Sequence, residues 1–272
     1  MSSLPPEILD LIVDHLGNEP DTLKSCCLAS KSWVPRSRLF LFARVELQST
    51  KSSITSWMKA FPDPSNSPAH YTRTLSIHML MSAPTSMFTW LLPFCRIEEL
   101  VADVFGWEEL DGVSLAQLHG LSPTLKSLDL SRVGARISDV IDLICSFPLL
   151  ESFSIHFASF DCNIDGWTAP LTSPKLTGSL RLNGEIRYIA RALLDLPGGL
   201  HFSNIWARAF TEDVDSRTIM DLISKCSDTL ESLSIWYIRS CTFPPSSPAD
   251  QCLTVTHIHS RVNPDANPTR SL

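Results

Sequence analysis

No segment of this 272-residue chain is apolar over the roughly 20 residues that a bilayer-crossing helix needs. Near the start, Glu7 and Asp10 stand where an export signal would carry a basic stretch ahead of an apolar one. Neither membrane insertion nor export is expected. Dense runs of lysine or arginine are also missing, and 29 acidic against 22 basic side chains leave a net charge of −7. Nothing is therefore arranged to neutralise a phosphate backbone, and nucleic acid is not expected as a partner. Only 10 glycines serve the whole chain. There is no glycine-rich phosphate loop, no serine elbow and no zinc-protease helix, so enzymatic chemistry is not expected.

The eight cysteines lack the paired spacings of a zinc site or a small secreted disulfide framework, although Cys26 and Cys27 are adjacent. They read as reduced, buried thiols of a cytoplasmic or nuclear protein. His257 and His259 with Cys252 match no strong metal spacing. The acidic groups Glu108, Glu109, Asp111 and Glu212, Asp213, Asp215 fall at turns or helix entries, where solvated acids are common. No catalytic, cofactor-binding or metal-binding residue is assigned.

What the chain does contain is 44% hydrophobic and 19% charged residues, enough to bury a sizeable core. In the first 45 residues, Leu4, Ile8, Leu11, Ile12 and Leu16 recur at helical spacing, with Pro5 in the first turn and Gly17 as a stop. A second helix is expected from Asp21, placed to cap it, through Leu23, Cys26, Cys27 and Ala29 towards Trp33, with Pro35 ending it. A third segment, 34 to 45, carries Leu39, Phe40, Leu41 and Phe42. A unit this small rarely stabilises itself by burial alone, so its leftover apolar surface calls for a cover.

The run LPPEILDLIVDHL followed by DTLKSCCLASKSWVPRSRLFLF resembles the F-box in the order and spacing of its Leu-Pro, Glu-Ile-Leu and Ser-Lys-Ser-Trp elements. The chain departs from the pattern where many F-boxes read Asp-Leu-Leu and this one reads Asp21-Thr22-Leu23. The resemblance implies binding to the Skp-type adaptor of a cullin-RING ubiquitin ligase. Leu4, Pro5, Ile8, Leu9, Leu28 and Trp33 are the matching positions. A plain three-helix packing module, with Trp33 as core filler, is the structural alternative for these residues.

From residue 70 a short pattern recurs: TRTLSI, IEELVA, LKSLDL, LESFSI, TGSLRL, FSNIWA and LESLSI. Its central apolar residues, Leu75, Leu100, Leu128, Phe153, Leu180, Ile205 and Leu233, are separated by 25, 28, 25, 27, 25 and 28 residues. Two apolar side chains two residues apart share one face of a short strand. Stretches such as 138 to 147, 186 to 196 and 216 to 226 are periodic helices that would cover that face. The units resemble the irregular leucine-rich repeats that follow F-boxes, since they vary in length and lack an asparagine ladder. The whole is similar to fungal-type F-box proteins with C-terminal leucine-rich repeats.

The expected fold class is α/β, a three-helix F-box followed by a solenoid of parallel strands with outer helices. The expected division is an F-box over 1–45, a linker or extension over 46–70, repeats over 71–240 and a loose tail over 241–272. The Pro- and Ser-rich PDPSNSPAH marks the loop before the first strand, and no capping element is evident after the last repeat. The array reads as a shortened one.

On the open face, one row is expected to hold His78, Asp103, Ser131, His156, Asn183, Arg208 and Trp236, and a second Asp129, Arg181 and Trp206. Arg181, Trp206, Arg208 and Trp236 cluster towards the C-terminal end, and Arg and Trp are enriched at binding hot spots. They are the candidate substrate-binding residues. Ordinary solvated strand positions are the plainer reading of the same rows. The function implied is a substrate-recognition adaptor of a ubiquitin ligase, joined through a Skp-type adaptor to a cullin and holding an unknown protein substrate. The alternative is a non-catalytic repeat scaffold whose F-box-like helices cap the solenoid, and an enzyme ranks last for want of converging acid, base and nucleophile.

Overall fold

The computed structural model describes residues 5–48, 53–79, 91–104, 116, 118–121, 123–161, 170–184, 186–210, 216–239 and 254–261. Among these, seven α-helices accompany ten strands, eight of which run parallel in one sheet. No helix of the described residues is long and apolar enough to cross a membrane.

Three helices open the chain: α1 (Pro6–His15), α2 (Pro20–Ala29) and α3 (Val34–Leu41). Each has proline in its first turn, where the missing N–H costs nothing because that amide has no intrahelical acceptor. Two local expectations are corrected. Asp21 does not cap α2, which begins at Pro20 after Glu19; its carboxylate instead accepts from Lys24 Nζ at 2.9 Å. Pro35 does not end the second helix, which stops at Ala29; after a short 3-10 turn it sits in the first turn of α3. Gly17 follows the end of α1 where a Cβ would lie 2.8 Å from the Phe40 ring, so a side chain there would force the ring to shift.

The sheet starts earlier than expected. Strand β1 (Arg44–Gln48) follows α3 almost directly and pairs in parallel with β2 (Thr74–Met79), so Val45 belongs to a strand and not to a helical segment. Helix α4 (Ser53–Ala60) lies between them in sequence. The remaining strands are β3 (Glu99–Val104), β4 (Ser127–Ser131), β5 (Gly134–Arg136), β6 (Ser152–Asp161), β7 (Ser179–Gly184), β8 (Asn204–Phe210), β9 (Ser232–Arg239) and β10 (Thr254–Arg261). The sheet order is β1-β2-β3-β4-β6-β7-β8-β9-β10, and β5 makes a short separate pairing with β6. Helices α5 (Ile137–Cys145), α6 (Ile186–Leu194) and α7 (Ser216–Lys225) connect later strands.

Register follows the apolar pairs. Val45, Leu75, Leu100, Leu128, Phe153, Leu180, Ile205 and Leu233 stand opposite one another across eight strands. Two residues on, Leu47, Ile77, Ala102, Leu130, Ile155, Leu182, Ala207 and Ile235 form a second row, all of it buried. Both rows join the buried faces of α5, α6 and α7 in one continuous core, which places these helices on the same side of the sheet. Burying one Leu or Ile side chain stabilises by about 1.5–3 kcal/mol, so the rows are the main reason for the stacking. A backbone spine ties each unit to the next: Arg73 N–H donates to Ala43, Glu98 to Arg73, Lys126 to Glu98, Glu151 to Lys126 and Gly178 to Glu151, at 2.7–2.9 Å.

Three successive units enter the left-handed region, at Arg132 (φ 55°) just past β4, at Phe157 (φ 52°) inside β6 and at Gly184 (φ 115°), the last residue of β7. Each immediately follows one of the paired residues Ser131, His156 and Asn183, and the register shifts between His156 and Ala158. Two of the three positions carry side chains that rarely adopt this backbone. Phe157 is the extra residue of the bulge, and 66% of it is exposed.

Within the tail expected to be loose, Thr254–Arg261 forms β10, which pairs antiparallel with β9 from Thr254↔Arg239 to Arg261↔Ser232. A polar strand needs no apolar period when the ladder itself satisfies its backbone.

Candidate functional site

The side of the sheet opposite the helices carries the polar rows. One ladder reads Gln48, His78, Asp103, Ser131, His156, Asn183, Arg208 and Trp236; the other reads Glu46, Ser76, Val101, Asp129, Ser154, Arg181, Trp206 and Ser234. Both lie on one face because their positions alternate with the buried rows.

Charge on this face is divided. Its β1–β4 end holds Glu46, Asp103 and Asp129, and these are engaged. Asp103 accepts from Arg132 through both carboxylate oxygens, with Nε to Oδ1 at 2.5 Å, and the contact holds the Arg132 guanidinium above its usual pKa. His78 lies 3.5 Å from Asp103 by Nδ1 and 3.8 Å from Glu46 by Nε2. His156 Nε2 lies 3.7 Å from Asp129. Beyond β6 the face turns cationic and aromatic.

There a pocket of about 660 Å3 opens, lined by His156, Arg181, Trp206, Leu180, Ile205 and by the polar side chains Ser179, Asn204, Ser232 and Ser234. Of the four candidate substrate-binding residues, Arg181 and Trp206 are brought together in it, on one rung of the β7–β8 ladder. Arg208 and Trp236 share the next rung, paired across β8 and β9, and do not line the pocket. Trp236 Nε1 donates to Ser234 Oγ at 3.1 Å, which connects the two rungs. Asn183, expected on the open row, is buried.

Sequence reasoning missed the hydroxyl and amide row. Ser127, Ser152, Ser179, Asn204 and Ser232 occupy equivalent positions one residue before the buried row. The signal was present in LKSLDL, LESFSI, TGSLRL, FSNIWA and LESLSI, where serine or asparagine always precedes the central apolar residue.

The second set of candidates lies on the N-terminal helices. Pro5 and Ile8 are exposed, Leu9 and Trp33 are half-buried, and Leu28 is 89% exposed; Leu4 lies outside the described residues. Ile8 (42% exposed) and Leu11 (57%) lie one turn apart on α1. The helices' buried apolar residues are Val13, Leu23 and Cys26, and these stand outside the large cluster that begins at Val45. The helices thus keep a small core of their own while leaving several large apolar side chains in solvent.

Among the described residues, no three or more His, Cys, Asp or Glu side chains gather in a way that could hold a metal ion. The acids Glu108, Glu109, Asp111, Glu212, Asp213 and Asp215 and also Cys252 lie outside the described residues, and His257 and His259 fall on β10. No protein-family model matches the chain, and no curated protein matches its sequence.

Proposed function

We propose that this chain is a substrate-recognition adaptor of a ubiquitin ligase of the Skp, cullin and F-box type. Its N-terminal helices dock on the Skp-type adaptor as an F-box, and its leucine-rich-repeat-like sheet holds a protein substrate. The protein contributes geometry: catalysis comes from holding the target beside a ubiquitin-charged partner. A cytoplasmic or nuclear setting belongs to the same proposal.

The observation that carries this reading is the exposure of Ile8, Leu11 and Leu28 on helices whose buried apolar set, among the described residues, is Val13, Leu23 and Cys26. Large apolar side chains left outside a three-helix unit are surface for a partner.

One observation favours the scaffold reading, in which these helices cap the solenoid. Phe42, just after α3, meets Trp57 and Phe61 edge-on at ring distances of 6.2 and 6.5 Å, and Trp57 meets Phe94 at 5.7 Å. An aromatic bridge thus joins the end of the helical unit to the core behind β1.

Co-elution of the purified chain with a Skp-type adaptor separates the two. Ile8→Asp together with Leu28→Asp places charge on exposed positions, so the fold is expected to persist by circular dichroism while co-elution is lost. Failure of the wild type to co-elute would move the assignment to the scaffold.

A further inference from the structure

We propose that the pocket over β6–β9 receives an oxyanion carried on a planar ring, supplied by a phosphorylated tyrosine of the protein substrate. The source of the ligand rests on the receptor reading above; the chemistry of the pocket does not.

Arg181 supplies the cation. Arg36, Arg73, Arg132 and Arg136 each have an acidic partner, whereas Arg181 is exposed and has none among the described residues. The nearest acid in its own ladder, Asp129, is two strands away, about 10 Å at the usual strand spacing, and faces His156. A chain of net charge −7 thus presents a locally positive site. A guanidinium's planar fork matches phosphate or carboxylate oxygens in pairs.

Ser179, Asn204 and Ser232 line the same pocket, adding side chains able to donate to the remaining oxygens. Trp206, half-buried on the same rung as Arg181, adds an aromatic surface of the kind that packs against a ring. At about 660 Å3 the pocket is larger than a bare inorganic anion needs and falls in the range of sites that enclose a ring with its substituents. A single side chain bearing both a ring and a terminal dianion uses the cation, the donors and the aromatic surface together.

Isothermal calorimetry on the full chain tests this with three probes: a tyrosine-phosphorylated peptide, its unphosphorylated form and phenyl phosphate. The phosphopeptide is expected to bind about tenfold or more tighter than its unphosphorylated form, with a similar loss on Arg181→Ala, the scale of one charge-assisted hydrogen-bond set. Arg181→Lys is expected to recover only part, and Trp206→Ala to weaken binding. Arg191→Ala, an exposed change on α6, is expected to bind as wild type.

Equal binding of the two peptides, or a folded Arg181→Ala chain that binds like wild type, would overturn the proposal. Phenyl phosphate binding as tightly as the peptide would overturn the substrate protein as the source while supporting the pocket chemistry. Phosphopeptide binding in a chain that does not co-elute with the Skp-type adaptor leaves the pocket standing and removes the ligase reading. Co-elution without phosphopeptide binding does the reverse.

Discussion

Arg36 on α3 grips Asp14 on α1 through two parallel bonds, Nε to Oδ1 and Nη2 to Oδ2, both 2.7 Å, across 22 residues of sequence. The pair ties the first and third helices beside the small core of Val13, Leu23 and Cys26. Hydrogen bonding from Arg36 holds the Asp14 carboxyl below the usual carboxylate range, outweighing the opposing desolvation.

The sign of the pH effect follows from that depression. A group whose folded pKa lies below its unfolded one adds stability that is full above the unfolded carboxylate pKa, about 3.9. That contribution is lost as pH falls through the folded value. The stability gap between wild type and Arg36→Ala should therefore be widest near neutral pH and close below about pH 4. Urea midpoints followed by circular dichroism measure it; a gap that persists unchanged into acid would rule the ion pair out as its cause.

Thiol chemistry should sort by burial. Cys145 is pushed up to about 11 and Cys226 is raised, in both cases chiefly by burial, while Cys95 is exposed. The thiolate is the nucleophile, so at pH 8 only roughly a thousandth of Cys145 is reactive. Among the cysteines of the described residues, alkylation of the folded chain timed by mass spectrometry is expected to modify Cys95 ahead of Cys145 and Cys226. Labelling of Cys145 as fast as Cys95 would contradict this.

At Gly178 two neighbouring units approach each other closely. A Cβ there would lie 2.2 Å from Ser152 Oγ and 3.2 Å from the Glu151 carbonyl oxygen, which accepts the Gly178 N–H at 2.9 Å. Ser152 Oγ cannot simply swing away, because it accepts from the Ser179 N–H at 2.9 Å. Gly178→Ala is expected to destabilise by about 1–3 kcal/mol, read as a lower Tm by calorimetry. Adding Ser152→Gly should return part of that loss, and a single variant melting like wild type would refute the contact.

Much of the sheet was legible because its cause is local. An apolar pair at i and i+2 recurring every 25 to 28 residues can bury its side chains only by stacking in register, and Leu75 to Leu233 do so. The helices between are equally local: α5, α6 and α7 begin within one residue of the starts that periodicity marked. Apart from the buried Asn183, the open-face rows followed from the same alternation, and with them the pairing of Arg181 with Trp206.

Tertiary structure alone decided the edges and the pocket. Strand β1 was hidden because Val45 follows an apolar helical run and stands 30 residues from Leu75, outside the repeat's spacing. Strand β10 was hidden because an antiparallel partner at the end of a sheet is defined by a long-range ladder, which leaves no period in the chain. The pocket includes Arg181 and Trp206 but passes by Arg208 and Trp236, one rung further on. Alternation determines which face a side chain shares, whereas the packing of neighbouring strands determines which of those side chains surround one space.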